Sequence, residues 1–269
     1  MKKSANKTAN YQILSNNSLK IIAIIIMFAD HFIKTILSAW FVHDFHSQYI
    51  QKIISYDYYK AFTNFLKFDL MSIGFVGMPL FCFLLVEGFT HTKNKKKYFL
   101  TMLLFACISE LPFDLLFFGF FEQLGKICPL YNLNQNVLFS FVLGICLLQS
   151  IELIKKQTYN PYIKFITNIV LIYIFSLIAT LFKVDYSYWS TLFIVGFYFT
   201  QNNKNLQIIF MFICVLIITP IPFYYGFLGC LPILLYNNKK GELNLKYFFY
   251  IFYPTHLIIL YLIGKLMYS

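Results

Sequence analysis

The sequence predicts an all-α polytopic integral membrane protein, a helical bundle, and three observations lead to this fold class. Hydrophobic residues make up 59% of the 269-residue chain, charged residues make up only 12%, and the mean hydropathy is +0.66. A soluble domain carries about a quarter charged residues. Apolar stretches that need lipid or protein on every side recur along the whole chain, so a water-soluble fold is excluded.

Nine segments meet or approach the roughly 20 apolar residues that cross a hydrocarbon core. We therefore expect about nine transmembrane helices, within a range of eight to ten. The seventh and eighth segments are short, and Pro220 and Pro222 separate them because proline ends a helix. The nine segments are residues 19–37, 71–90, 98–120, 134–151, 165–182, 186–200, 206–219, 224–236 and 246–265.

The remaining parts of the chain are assigned as follows. Residues 1–18 form a polar amino-terminal tail, and residues 19–269 form a single transmembrane domain. Between the first two spans, residues 39–70 alternate aromatic and polar side chains, which is typical of an interfacial segment. A tenth, re-entrant element in this segment is the alternative, because a structureless loop of that length is unusual in a compact fold.

The basic residues are all lysine, 22 of them, and the formal charge is +11. The absence of arginine argues against bidentate phosphate grips and against nucleic acid as a partner. With the amino terminus in the cytoplasm, fifteen lysines fall in inside loops and seven elsewhere, which satisfies the positive-inside bias. The lipid bilayer is therefore the first partner that the sequence predicts.

Ionisable residues inside the apolar spans are the candidates for chemistry, because each costs about 2.5 to 3.5 kcal/mol on insertion scales. Asp30 and His31 lie deep in the first span, and Glu110 and Asp114 lie at a comparable depth in the third. The latter two are four residues apart, so both face one neighbour, for which His31 and His256 are candidates. This set suits general acid and base catalysis near mid-membrane. A satisfied structural network and a proton relay are the alternatives.

Further polar groups lie at the ends of the spans. The lysine cluster after the second span, preceded by Glu87 and His91, fits either a topology-setting loop or a docking surface for an anionic donor such as a coenzyme A ester. Gln135 and Asn136 either bind an acceptor or cap the fourth helix. Asp185 lies at an outer boundary, where an aspartate needs no special explanation. The clustered lysines are Lys93, Lys95, Lys96 and Lys97.

Several strings, in order, resemble the TraX family of bacterial membrane proteins. They are MFADH at 27–31, GMPLFCFLLVEGF at 77–89 followed by HTKN at 91–94, ISELPFD at 108–114, QNV at 135–137, VDY at 184–186 and YPTHL at 253–257. The resemblance implies a membrane acyltransferase fold in the bacterial cytoplasmic membrane. It implies transfer of an acetyl or other acyl group from cytosolic acyl-coenzyme A to an amine or hydroxyl of an envelope acceptor: a glycan, a lipid or a peptide amino terminus.

Carried onto this sequence, the resemblance implies a role for each site residue. His31 is the catalytic base or a transient acyl carrier, oriented by Asp30, and Glu110 and Asp114 tune it or bind the nucleophile. No metal is implied. A proton-coupled transporter or flippase using the same residues is the main alternative, and a non-catalytic assembly partner is a third. The donor phosphates are approached by His91, Lys93, Lys95, Lys96 and Lys97, and Glu87 anchors that loop. The acceptor is contacted by Gln135 and Asn136, and His256 closes the pocket.

Overall fold

The computed structural model describes residues 12–40, 73–117, 134–157, 160–218, 223–242 and 246–268, together with Tyr58, Ala61, Asn64 and Phe65. The interfacial segment predicted at 39–70 falls almost wholly outside these residues, and so does the question of a re-entrant element.

Each of the nine predicted segments contains a helix. Over the described ranges the chain forms no β-strand, only two isolated bridges, Leu14 with Tyr236 and Gln135 with Val184. The prediction of an all-helical protein is therefore confirmed for these residues. In chain order the helices are α1 (Asn16–Phe32), α2 (Gly74–His91), α3 (Lys95–Phe117), α4 (Val137–Lys156), α5 (Pro161–Leu181), α6 (Ser187–Thr200), α7 (Lys204–Ile218), α8 (Phe223–Leu234) and α9 (Lys246–Tyr268).

Five of these helices, α2 to α5 and α9, are long and apolar enough to cross a membrane. Helix α1 continues through a π-helical turn, Ile33–Leu37, and a last helical turn, Ser38–Trp40, which makes it about 36 Å long. Helices α6, α7 and α8 have 14, 15 and 12 residues, so they are shorter than a hydrocarbon core of about 30 Å. Five helices thus meet the length and composition of a span, and a full count of nine spans stays a prediction.

Helix α2 is the centre of the bundle, because it packs against α1, α4, α6 and α8. Its inner residues include Leu80 and Phe89, both fully buried. Gly229 allows the close approach of α8, since a Cβ there would lie 2.4 Å from the backbone oxygen of Val76. Helix α5 lies at the periphery, because only 6% of its apolar stretch is buried inside the bundle. Its exposed apolar side chains form an outer surface suited to lipid.

Contacts between helix ends define two ends of the bundle. The first end, which we call the lysine end, is where α2 finishes at His91 and α3 begins at Lys95. The Leu14–Tyr236 bridge lies at this same end, since the Tyr236 hydroxyl binds Glu87. At the second, which we call the histidine end, α2 begins at Gly74 and the Gln135–Val184 bridge joins the start of α4 to the α5–α6 loop. The helices therefore alternate in direction as predicted. Which side of the membrane each end faces stays a prediction.

Candidate active site

Two histidines from opposite ends of the sequence meet inside the bundle. His31 is near the end of α1 and His256 is in the middle of α9, and the two helices pack together. The Nδ1 atom of His31 lies 2.8 Å from Nε2 of His256, and the rings stack with centroids 5.0 Å apart. Their exposed fractions are 9% and 2%. The sequence placed both histidines in one site, and the direct contact between their rings is a finding of the structure.

Backbone contacts set the tautomer of this pair. His256 Nδ1 lies 2.9 Å from the carbonyl oxygen of Phe252, which only accepts, so Nδ1 carries a hydrogen. In a neutral ring Nε2 of His256 is then an acceptor, and His31 must donate from Nδ1. The remaining nitrogen of His31, Nε2, holds a lone pair that no protein group in the described part of the chain binds. His31 is therefore oriented as a base.

Asp30 binds Lys34 rather than His31, which corrects the prediction that Asp30 orients the histidine. The ammonium of Lys34 lies 2.9 Å from both carboxylate oxygens of Asp30. Successive side chains on an α-helix point about 100° apart, so Asp30 and His31 face different neighbours, whereas residues four apart share a face. The orienting partner of His31 is instead His256.

The π-helical turn Ile33–Leu37 begins directly after this group. Hydrogen bonding in a π-helix runs from residue i to i+5, and single π-turns occur frequently at functional sites. Where the register changes, the carbonyl oxygen of His31 accepts from the Thr35 hydroxyl at 2.6 Å. The Thr35 side chain thus satisfies a carbonyl group at the register change and fixes the backbone of the base.

A small cavity lies beside Asp30 and His31. Its volume is about 30 Å³, room for roughly two water molecules. Its walls come from α1, α2, α4 and the start of α6, so the prediction of a pocket built from the first, third and last spans is only partly right. The cavity is also nearer to the histidine end than to mid-membrane, because Gly74, the first residue of α2, is one wall. Its polar lining is Asp30, His31, Asp185, Tyr186 and Ser190.

Asp185 is a site residue that the sequence analysis passed over. It lies in the α5–α6 loop and lines the cavity, where its Oδ1 accepts from the Tyr186 backbone N–H at 3.0 Å. Burial raises the pKa of Asp185 to about 6, against the lowering effects of Lys34 and the Tyr186 N–H, and with a smaller raising effect from Asp30. The VDY string at 184–186 was the one sequence signal that pointed to it.

The turn that carries Asp185 has an uncommon backbone. Lys183, Tyr186 and Ser187 have φ values of 50°, 60° and 46°, in the left-handed region where residues other than glycine are sparse. Such conformations persist where the surroundings over-determine them, and they cluster at active sites. Here the surroundings are the Gln135–Val184 bridge, the Ser140 hydroxyl on the Asp185 carbonyl at 2.6 Å, and the Tyr186 hydroxyl on the Gly74 carbonyl at 3.3 Å.

Glu110 and Asn136 bind each other, which separates Glu110 from the histidines. The Asn136 amide donates to Glu110 at 2.5 Å and to the Ala106 carbonyl at 2.9 Å. Its side-chain oxygen caps α4 by accepting from the Leu138 N–H at 3.0 Å. The contact ties α3 to α4, so the predicted pairing of Glu110 with His31 is wrong. Gln135 is held by backbone hydrogen bonds with Lys183 and Asp185.

Asp114 lies on the face of α3 that also carries a ring in contact with His31. It is buried on α3, three residues before Phe117 and thus on the same face of the helix. The edge of the Phe117 ring packs on His31, with centroids 5.2 Å apart. The third span therefore supplies a wall for the base through Phe117.

The lysine end holds the predicted donor-binding residues, and several of them bind different partners within the protein. Lys95 pairs with Glu152 and lies over the Phe89 ring at 4.0 Å. Glu87 accepts from the Tyr236 hydroxyl at 2.8 Å, and His91 Nδ1 lies 2.9 Å from the Glu87 carbonyl. The three exposed lysines are Lys93, Lys96 and Lys97, the last two beside a shallow groove on α3.

The two clusters are far apart along the bundle axis. From Gly74 to His91, α2 runs about 25 Å, so the exposed lysines and the histidine pair lie at opposite ends. Between Gly77 and Glu87 every residue of α2 is apolar. A ligand held by these lysines would therefore need a long arm to reach His31.

Comparisons with known proteins identify a family over nearly the whole chain. The family model described as TraX protein matches residues 15–264. A curated relative from Dichelobacter nodosus, the "Probable fimbrial assembly protein FimC, serogroup H1", is 27% identical over 209 residues, covering 70% of this chain and 80% of the relative. No solved structure matches. Since the family model covers nearly the whole chain, including both histidines, the protein belongs to the TraX family.

Proposed function

We propose that this chain is a membrane-embedded acyltransferase that moves an acyl group, in the first instance acetyl, from acyl-coenzyme A to an amine or hydroxyl of an envelope acceptor. One observation carries the proposal: His256 and the Phe252 carbonyl orient His31 so that its Nε2 lone pair is the open acceptor in a buried polar site. A base held in one tautomer is what transfer to a weakly acidic N–H or O–H group requires.

The reaction uses that lone pair in one proton cycle. His31 Nε2 removes a proton from the acceptor amine or hydroxyl as its nitrogen or oxygen bonds to the thioester carbonyl carbon. The carbon–sulfur bond then breaks, and the coenzyme A sulfur leaves with the bonding electrons. The proton on His31 passes to that sulfur, which returns the neutral base and releases coenzyme A as a thiol. Throughout, His256 accepts from His31 Nδ1 and stabilises the transient positive charge on the ring.

The separation of the two ends supports transfer across the bundle. Exposed lysines at the lysine end attract the phosphates of the donor, whose long flexible arm carries the thioester. The cavity lies near the other end, beside the Asp185 loop, where an acceptor from the opposite compartment enters. With the amino terminus in the cytoplasm, as the positive-inside bias favours, the donor is cytosolic and the acceptor extracytoplasmic.

The alternative function, a proton-coupled transporter or flippase, fits these contacts less well. A proton path needs polar or titratable groups spaced along the membrane normal. On α2, the central helix, the stretch between Cys82, which lines the cavity, and Glu87 is apolar, and its residues Phe83, Leu85 and Val86 are buried. This favours a local proton cycle at His31 over transmembrane proton movement.

The acceptor class follows in outline from the relatives. One curated relative is named as a probable fimbrial assembly protein, so we infer a pilus-related membrane function for this chain. On that inference, surface appendage subunits and the glycans or lipids of the envelope are the first acceptors to test.

The test uses the purified full-length protein in liposomes with acetyl-coenzyme A labelled on the acetyl group, together with envelope membranes from cells that lack the protein. We expect acetyl label on an envelope component, one free thiol per transferred acetyl group, and no effect of a protonophore. Transport of an envelope precursor that depends on a proton gradient, without thiol release, would support the transporter instead. Absence of both label transfer and thiol release would overturn the proposal.

A further inference from the structure

Lys34 is a cation paired with Asp30, which lines the cavity, and neither the sequence analysis nor the family match assigns it to the reaction. Its ammonium lies 2.9 Å from both oxygens of Asp30, and its side chain is 34% exposed, whereas that of Asp30 is 5% exposed. It also acts electrostatically on His31 and Asp185. Among the described residues, Lys34 is the cation that acts on all three of Asp30, His31 and Asp185.

The helix places this ammonium beside the base. Lys34 follows His31 by three residues and Asp30 by four, so the three side chains lie on neighbouring parts of one helical surface. It is also the second residue of the π-helical turn, where the changed register alters its direction relative to a regular helix. Asp30 holds it there and is itself fixed, since a Cβ at Gly74 would lie 2.8 Å from its Oδ1. A carboxylate fixed by packing therefore holds a cation next to a base.

An ammonium held in this way keeps at least one N–H donor that Asp30 does not use. A lysine ammonium has three N–H donors, and the carboxylate of Asp30 takes up at most two of them. The exposed third of the side chain gives the remaining donor access to a ligand. In acyl transfer the group that needs such a donor is the carbonyl oxygen, which becomes negative in the tetrahedral intermediate.

We propose that Lys34 is a further catalytic residue, the donor that stabilises the oxyanion formed on the thioester carbonyl, and this inference rests on the acyltransferase function proposed above. When the acceptor atom bonds to the carbonyl carbon, the carbon–oxygen π electrons move to oxygen and the Lys34 N–H donates to it. When the intermediate collapses, those electrons reform the double bond, the carbon–sulfur pair leaves with sulfur, and Lys34 is unchanged. Asp30 keeps the ammonium in place.

The competing role for Lys34 is structural, namely to neutralise the buried Asp30. The experiment separates the two with a double variant, in which Asp30→Asn removes the charge that Lys34 would otherwise neutralise. We compare Lys34→Met, Asp30→Asn and the double variant Asp30→Asn/Lys34→Met, with Lys34→Arg to keep the charge. Lys265→Met, which replaces an exposed lysine in the last turn of α9 at the same end of the bundle, is the matched control. Thermal unfolding and gel filtration check that each variant is folded.

The readouts are kcat and KM for acetyl-coenzyme A, with envelope membranes as acceptor. We expect Lys34→Met and the double variant each to lose about 100- to 1000-fold in kcat with little change in KM, the usual cost of one oxyanion donor. Asp30→Asn and Lys34→Arg should retain more activity than either. A double variant with a kcat near that of the wild type would overturn the inference. An Asp30→Asn variant with a kcat as low as that of the double variant would also overturn it. Failure of the wild type itself to transfer acetyl would overturn the acyltransferase function as well.

Discussion

The two ends of the bundle use their ionisable side chains in different ways. At the histidine end, the groups are buried and each has a directional partner: His31 with His256, and Asp30 with Lys34. Around the junction of α2 and α3 at the lysine end, His91, Lys93, Lys96 and Lys97 are exposed, and Lys95 pairs with Glu152. One end therefore has the fixed geometry that chemistry requires, and the other has the diffuse positive charge that attracts an anion.

This difference indicates which substitutions affect rate and which affect binding. A buried group held by hydrogen bonds acts through orientation, so its loss changes the chemical step. An exposed lysine acts through long-range attraction, which salt screens over about 8 to 10 Å. The comparison makes four predictions, from the largest expected effect to the smallest.

Substitution of His31 by alanine should have the largest effect. A general base contributes about 100- to 10,000-fold to a rate, so we expect kcat for acetyl transfer to fall within that range. The measurement is thiol release by the folded variant in liposomes. Thr167→Ala, on the peripheral helix α5, is the matched control and should leave the rate unchanged. A His31→Ala protein with nearly full activity would remove the distinction between the two ends.

Substitution of His256 should have an intermediate effect, because His256 acts through His31. Loss of a group that orients a catalytic residue typically costs about 10- to 100-fold in activity. Glutamine retains an acceptor near the position of Nε2, so His256→Gln should be more active than His256→Ala. Equal kcat values for the two variants, in proteins of equal thermal stability, would contradict the orienting role.

Substitution at the lysine end should change binding and leave the chemical step intact. Replacing Lys96 and Lys97 by glutamine should raise KM for acetyl-coenzyme A by about two- to fivefold for each lysine, as exposed charge pairs are weak. The increase should disappear at high salt. Lys155→Gln/Lys156→Gln, at the end of α4, provides an exposed control pair at the same end of the bundle. A fall in kcat with unchanged KM would place these lysines in the chemistry instead.

Substitution of Asp185 should have the smallest effect, a change in thermal stability that grows as pH rises. Its pKa is raised from 3.8 to about 6 by burial, so the folded protein binds this proton more tightly than the unfolded chain does. Ionisation therefore destabilises the folded state as pH rises from about 4 through about 6, and the loss is complete above that window. An asparagine side chain carries no charge at any pH, so Asp185→Asn should raise Tm by a few degrees at pH 7.5 and much less at pH 4. A shift of the same size at both pH values would contradict this assignment.

The helices were largely predictable from the sequence, because apolar runs and their capping residues are local features. All nine segments contain a helix, and Asn136 does cap α4. The short lengths of α6, α7 and α8 were less apparent, since apolar side chains in loops extend a hydropathy segment beyond the helix itself.

The site was predictable only in part, because spacing gives the face of a helix and not its rotation towards a neighbour. His31 and His256 stood out as polar residues in apolar spans, and they do meet. Glu110 met the same criterion, yet its face turns to Asn136. Lys34 drew no functional interpretation in the sequence, and Asp185 lay in a loop where a charge costs little. Only the folded chain shows that Lys34 pairs with Asp30 and that Asp185 lines the cavity.

The tautomer of His31 is the most direct test of the claim that the histidine end presents a base. The measurement is the ring ¹⁵N spectrum of histidine-labelled protein in lipid at pH 7.5, with His31 and His256 assigned from single variants among the five histidines. The account predicts that both rings are neutral and carry their hydrogen on Nδ1, which leaves Nε2 of His31 unprotonated. A His31 ring protonated on Nε2 in the resting protein would contradict it.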